Sequence, residues 1–248
     1  MRRFFVLVLI SCLSISIKAA LPDSLSVNDR SSVLVIPYMP AMHLSDADND
    51  ISEGSQMEMT DMRSALRKGI VKALNKKFAE VYDVKGFNND FVNSENGDMD
   101  VLYHTLLFEG DTVYPLKNPS RFAVKDTTPV KKGVKKPTPE SMYINVGIYD
   151  SSLVPDLSKK YESDYIIFLN EIDIKTHFDD CINLALKIYR RDIKVHYSIF
   201  DKTGKQLYGD VAVSHFGTNT NDVNEIMKEN FPSISNYVLN SFHKVEKQ

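Results

Sequence analysis

The feature that most constrains this chain is a stretch of strict alternation in its last quarter. Ile193, Val195, Tyr197 and Ile199 alternate with Lys194, His196 and Ser198. Beyond Asp201-Lys202-Thr203-Gly204, Leu207, Val211 and Val213 alternate with Tyr208, Asp210 and Ser214. A period of two puts one set of side chains on a buried face and the other toward water, which is the signature of paired strands. Register must set apolar residues opposite apolar ones. That pairs Ile199 with Leu207 and leaves Lys202-Thr203-Gly204 as a three-residue turn with Gly204 left-handed. It also places His196 opposite Asp210 on the polar face.

The remaining segments supply partners for this hairpin. Ser32 to Pro37 is a β-branched run that reads as a buried strand ended by proline. Ser55 and Glu58 have capping-box spacing. After them Met62, Ala65, Leu66, Ile70, Ala73, Leu74 and Phe78 recur every three or four residues, opposite Arg63, Arg67, Lys68, Lys72 and Lys76. This predicts an amphipathic helix over 56–79, with Gly69 marking a close approach to the sheet. Val81 to Val84 reads as a second strand, so the chain opens with a parallel strand-helix-strand unit. A short helix is expected over 98–108, a strand over 142–148 and a helix over 153–161. Tyr165 to Leu169 is wholly apolar, and Ile172 and Ile174 then alternate with Glu171 and Asp173. That is a central strand whose far end projects into water. Asp222 and Glu225 open a last helical stretch, 222–244, which Pro232 is expected to kink or split.

Between these elements lies a segment of another character. Five of the ten prolines fall between Pro115 and Pro139, together with Lys131, Lys132, Lys135 and Lys136. With no apolar periodicity, 109–140 reads as a surface excursion. Its basic run is either an electrostatic contact or a solvated linker.

The first twenty residues speak about compartment. Arg2 and Arg3 precede an apolar run from Phe4 to Ile17, and Lys18-Ala19-Ala20 closes it. That order of charge, apolar core and small residues is the pattern of a secretory signal peptide. Two readings follow: cleavage near Ala19 or Ala20, or lipidation at Cys12, where Leu9-Ile10-Ser11-Cys12 resembles a lipobox. Either leaves 21–248 as one α/β domain and Cys181 as the remaining cysteine, so a disulfide-stapled module is excluded. The 248 residues carry 30 basic and 33 acidic side chains, and the leader holds three of the cations (Arg2, Arg3, Lys18). An acidic remainder exerts no general attraction on nucleic acid. No later apolar run approaches the roughly 20 residues of a spanning helix.

Catalytic and metal signatures are sparse. Asp46, Asp48 and Asp50 begin like a calcium loop, but Ile51 and Met57 stand where that loop needs glycine and glutamate; the plainer reading is a solvated acidic loop over 43–53. His43, His104, His177, His196, His215 and His243 lack metalloprotease spacing. His177 forms a loose cluster with Asp179 and Asp180. There is no nucleophile elbow, phosphate loop or dinucleotide fingerprint, and no cofactor is implied.

Three segments carry a resemblance: Val33-Leu-Val-Ile-Pro37-Tyr38, Glu162-Ser-Asp-Tyr-Ile-Ile-Phe-Leu169, and Arg191–Phe200 followed by Asp201-Lys-Thr-Gly204-Lys-Gln-Leu207-Tyr208. Over 33–84 and 153–245 the chain is similar to bacterial envelope proteins of the curli-secretion-channel lipoprotein, penicillin-binding-protein activator and TolB amino-terminal domain type. The resemblance implies a mixed sheet and a binding or assembly role in the envelope, and it transfers no site residue. Together these readings predict an α/β fold, a mixed β-sheet with helices packed on it, in two or three layers. They also predict an exported, non-enzymatic protein acting through protein contact, with 43–53 and 109–140 as its surfaces. The alternative is an exported hydrolase whose site gathers at least two of His43, His177, Asp179, Asp180, His196 and Asp210.

Overall fold

In chain order the elements are β1 (Ser32–Ile36), β2 (His43–Ser45), α1 (Asp48–Ser55), α2 (Met59–Phe78), β3 (Asp83–Lys85), β4 (Leu106–Asp111), β5 (Tyr143–Ile148), α3 (Leu153–Tyr161), β6 (Tyr165–Asn183), β7 (Ile188–Asp201), β8 (Gln206–Gly217) and α4 (Val223–Glu246). The computed structural model describes residues 30–85, 102–111 and 143–246. All of these elements belong to the unit Ser31–Gln248. The leader, Cys12 and most of the 109–140 excursion lie outside the described residues; the first residues of that excursion, to Asp111, belong to β4.

The main sheet has the order β3-β1-β6-β7-β8, with β2 also paired to β6. β3, β1 and β6 run parallel, and β6, β7 and β8 run antiparallel, so the sheet is mixed. Alternation along β1 divides the core. Val33 and Val35 face the layer formed by α1, α2 and α4, where Leu66, Ile70, Phe78, Phe231 and Phe242 pack. Leu34 and Ile36 face a second layer, where Val146 of β5 and Val154 of α3 cover Ile166, Phe168 and Phe200. Each such side chain removed from water contributes about 1.5–3 kcal/mol. The predicted mixed sheet with helices, its strand-helix-strand opening and its hairpin followed by a C-terminal helix are all present.

The hairpin differs from its predicted register, and the cause is a bulge. The turn is as expected: Gly204 has φ +87° and Asp201 N–H donates to Lys205 O at 3.0 Å. Phe200 pairs with Gln206, but Ile199 pairs with Tyr208. Leu207 is therefore an extra residue, and every later pair shifts by one. His196 lies opposite Val211, and Asp210 lies opposite Tyr197. β8 turns Tyr208, Ala212 and Phe216 toward the helices, while Val211 and Val213 meet Tyr143 on the other face. A second bulge sits in β6, where Asn170 is the unpaired residue between Leu169 and Glu171. It moves the helix-facing set from odd positions (Ile167, Leu169) to even ones (Ile172, Ile174).

Several local expectations are corrected. Ser55 does not cap α2, which starts at Met59 behind Glu58 with no side-chain cap. Ser55 instead ends α1, accepts Val223 N–H of α4 at 2.8 Å and donates to Asn221 O. Gly69 marks a close helix contact rather than a sheet contact, since a Cβ there would overlap Met227 and touch Phe231 of α4. Of the expected helix over 98–108, residues 98–101 lie outside the described residues, 102–104 are helical, and β4 takes over from Leu106. α4 runs through Pro232 without splitting. Pro232 and Lys228, whose carbonyl loses its partner, are exposed, while Phe231, Ile234 and Val238 keep the buried face continuous.

Candidate functional site

Two places gather unusual chemistry. The first is a cavity of about 330 Å³ lined by Tyr38, Pro40, His43, Thr60, Arg63, Ser64 and Arg67. Its position follows from the topology. β1 ends at Ile36, Tyr38 follows it, and α2 begins the crossover to β3, so the cavity lies off the carboxyl end of a parallel strand, where open α/β sheets hold ligands. Thr60, Arg63, Ser64 and Arg67 share one face of α2 at spacings of three and four. The helix expected to present Arg63 and Arg67 to bulk water lines this cavity with both, Arg67 half-buried and Arg63 still exposed at its mouth.

The cavity has a buried acid behind it. Asp48 is 5% exposed and accepts from Arg63 Nε at 2.6 Å, with His43 Nε2 3.0 Å from its other oxygen. Burial works to raise the Asp48 carboxyl, but the hydrogen bonds from His43 and Arg63 outweigh it and hold the group below the usual carboxylate range. His43 Nδ1 faces the Tyr38 hydroxyl at 3.4 Å. Arg67 donates from Nε to Tyr38 O at 2.6 Å and from its Nη2 to the Tyr103 hydroxyl.

The second place is the far end of β6 and β7. β2 leaves β6 at Ile174 and β8 leaves β7 at Arg190, so residues 178–188 form a two-stranded arm, bulged at its root where Phe178, Asp179 and Asp180 of β6 have no partner on β7. Its end carries Phe178, Ile182, Leu184 and Leu186 at 72%, 58%, 83% and 69% exposure. Phe178 meets only the edge of the Tyr189 ring among described aromatic neighbours, at 5.4 Å. Apolar side chains of this size gathered in water are a feature that calls for an explanation, since folded surfaces seldom expose them together. The sequence signal was the alternation of Ile182, Leu184 and Leu186, which the short apolar run of 165–169 and the polar cluster at 177–180 overshadowed.

Of the side chains named for a hydrolase, His177 and Asp180 are drawn into one ion-pair network through Asp192 and Arg190, whereas His43, His196 and Asp210 lie apart. His43 pairs with Asp48, His177 Nε2 lies 3.0 Å from Asp192, and Asp180 pairs with Arg190. His196 accepts Ile144 N–H at 2.9 Å on the second face, whereas Asp210 accepts from Tyr208 and Tyr237 on the helix face. Asp179 is exposed. The segment 43–53 is β2 and α1 rather than a loop, and its carboxylates diverge: Asp46 accepts from Thr176 at 3.0 Å, Asp48 from Arg63, and Asp50 pairs with Arg191. Among the described residues no group of three metal-ligating side chains converges.

The polar face of β7 is not solvated either. Tyr143 of β5 bonds Ser198 Oγ at 2.6 Å and Asn145 Oδ1 at 2.9 Å, and Asn170 donates to Ile144 O and Ser198 Oγ, each at 2.8 Å. Gln206 donates to Asn145 Oδ1 at 2.9 Å. This buried seam fastens β5 across the main sheet. A mixed α/β sheet with a lined cavity and an apolar arm defines a class of architecture. Beyond that class, no protein-family model matches the sequence, and no curated protein sequence matches it.

Proposed function

We propose that this chain is an exported, non-enzymatic protein of the bacterial cell envelope that acts by binding another protein through the β6–β7 arm. The observation that carries the reading is the exposure of Phe178, Ile182, Leu184 and Leu186 at the arm's end. The charge, apolar and small-residue order of residues 1–20 supports export, and the similarity of the first-strand and hairpin motifs to those of envelope lipoproteins supports an assembly role. Asp179 and Asp180 are balanced by Lys187 and by Arg190, which pairs with Asp180, so the arm has no net positive charge to draw it to anionic headgroups.

Photocrosslinking tests this. A photoreactive benzoylphenylalanine in place of Phe178 is expected to trap a discrete protein adduct in cells of origin, and the adduct is expected to vanish when Leu184 and Leu186 are both changed to Ser. The same probe in place of Lys76, exposed on α2, is expected to trap none of it. Adducts to phospholipid alone, or an adduct indifferent to Leu184 and Leu186, would overturn the reading.

A further inference from the structure

The cavity beside α2 shares no lining residue with the arm. Arg63 is held by one edge only: its Nε donates to Asp48 Oδ2 at 2.6 Å, and its two Nη groups have no protein partner among the described residues. Asp48 is itself fixed from the other side by His43, so the guanidinium plane is aimed rather than free to swing. The Thr60 and Ser64 hydroxyls flank Arg63 on the same helix face, and neither has a protein partner among the described residues. Arg67, locked by Tyr38 O and Tyr103, adds a second fixed positive charge. Tyr38 and Pro40 supply an apolar wall.

These groups share one preference. A guanidinium whose Nη edge is open matches an oxyanion with two oxygens side by side. Hydroxyl donors on either side suit the same oxygens. A cavity near 330 Å³ holds a compact organic body rather than a bare ion. We propose that the cavity binds a small organic oxyanion, a carboxylate or phosphate monoester, gripped by the Nη edge of Arg63 and flanked by Thr60 and Ser64, with its organic part against Tyr38 and Pro40. Asp48 and His43 act as positioning residues for Arg63. The two ligand sources differ in charge and shape at the head, and the site accepts both chemistries until measured.

Isothermal titration calorimetry on the full chain distinguishes them, with phenyl phosphate, benzoate and inorganic phosphate as probes. Saturable one-site binding of phenyl phosphate or benzoate is expected, tighter than that of inorganic phosphate, and whichever of the two binds assigns the head group. Arg63→Gln is expected to weaken it by about tenfold or more. Ser64→Leu fills the cavity while leaving the Arg63–Asp48 contact in place, and is expected to abolish it. Lys76→Gln removes a cation of the same helix outside the cavity and is expected to leave it unchanged. No binding of either organic probe at concentrations up to about 10 mM, full affinity in Ser64→Leu, or an equal loss in Lys76→Gln would overturn the proposal. If Arg63→Gln fails to fold, the Ser64→Leu comparison still decides.

Discussion

Glu171 and His196 face each other across the β6–β7 ladder, with Oε1 and Nε2 3.7 Å apart, yet they do not form an ion pair. Burial, aided by Asp173, pushes Glu171 up to about 7 from 4.5. Burial, aided by Lys194, pushes His196 down to about 3 from 6.5. Their pH slopes oppose each other. The folded state holds the Glu171 proton more tightly than the unfolded chain does, so that contribution is full below about 4.5 and lost as pH rises through 7. The folded state refuses the His196 proton, so that contribution is full above about 6.5 and lost as pH falls through 3. Glu171→Gln is therefore expected to gain on the parent protein as pH rises from about 4.5 to 7, and His196→Asn to lose ground from about 3 to 6.5. Urea midpoints of the three proteins at matched pH check both trends. Parallel curves would mean that neither group is desolvated as the structure has it.

At the scale of elements, α1 and α4 complete each other across 168 positions of sequence, because Ser55 at the end of α1 caps Val223 at the start of α4. Gly54 makes the approach close enough: a Cβ there would lie 2.5 Å from Asn221 Cβ and 2.7 Å from its carbonyl oxygen. Asn221 has little room to retreat, since Arg191 Nη1 donates to its Oδ1 at 2.6 Å. Gly54→Ala is thus expected to destabilise by about 2 kcal/mol, the overlap outweighing the helix propensity gained; chemical denaturation reads it. These long-range junctions explain what was legible in the chain. Helices and strands with strong local periods, α2, α3 and β7 among them, could be read directly. The bulge at Leu207 could not, because Leu and Val outrank Tyr and Ala in any apolar pattern, and only β5 and α4 decide which set faces which layer. The bulge at Asn170 did leave a trace, the change of parity between Leu169 and Ile172. Ser55 was read as a local cap because its true partner is distant.

Over the whole molecule, stability should be unevenly spread. β7 has a neighbouring strand on both sides along most of its length and β6 does so within Tyr165–Ile174, whereas β4 and β5 form a separate two-stranded sheet. That sheet is held by the Val146 cluster and the Tyr143–Asn145–Asn170–Ser198 seam. Native-state hydrogen exchange is expected to show β5 amides opening in a smaller, less denaturant-sensitive unit than those of β6 and β7. Identical opening energies and slopes would make the two layers one cooperative body. The candidate sites were legible only in part for a related reason. Arg63, Arg67 and Tyr38 were each plain in the sequence, but their meeting point depends on β1, β2 and α2 being brought together. The arm, too, continues strands that begin in the core. That continuity has a mechanical meaning. A load applied at Leu184 first meets the bulge at Phe178–Asp180, three residues of β6 that β7 does not match, and then passes along β6 and β7 into the middle of the sheet, where tension along the strands must shear many ladder hydrogen bonds at once. The arm is thus able to yield at its root while the sheet behind it holds.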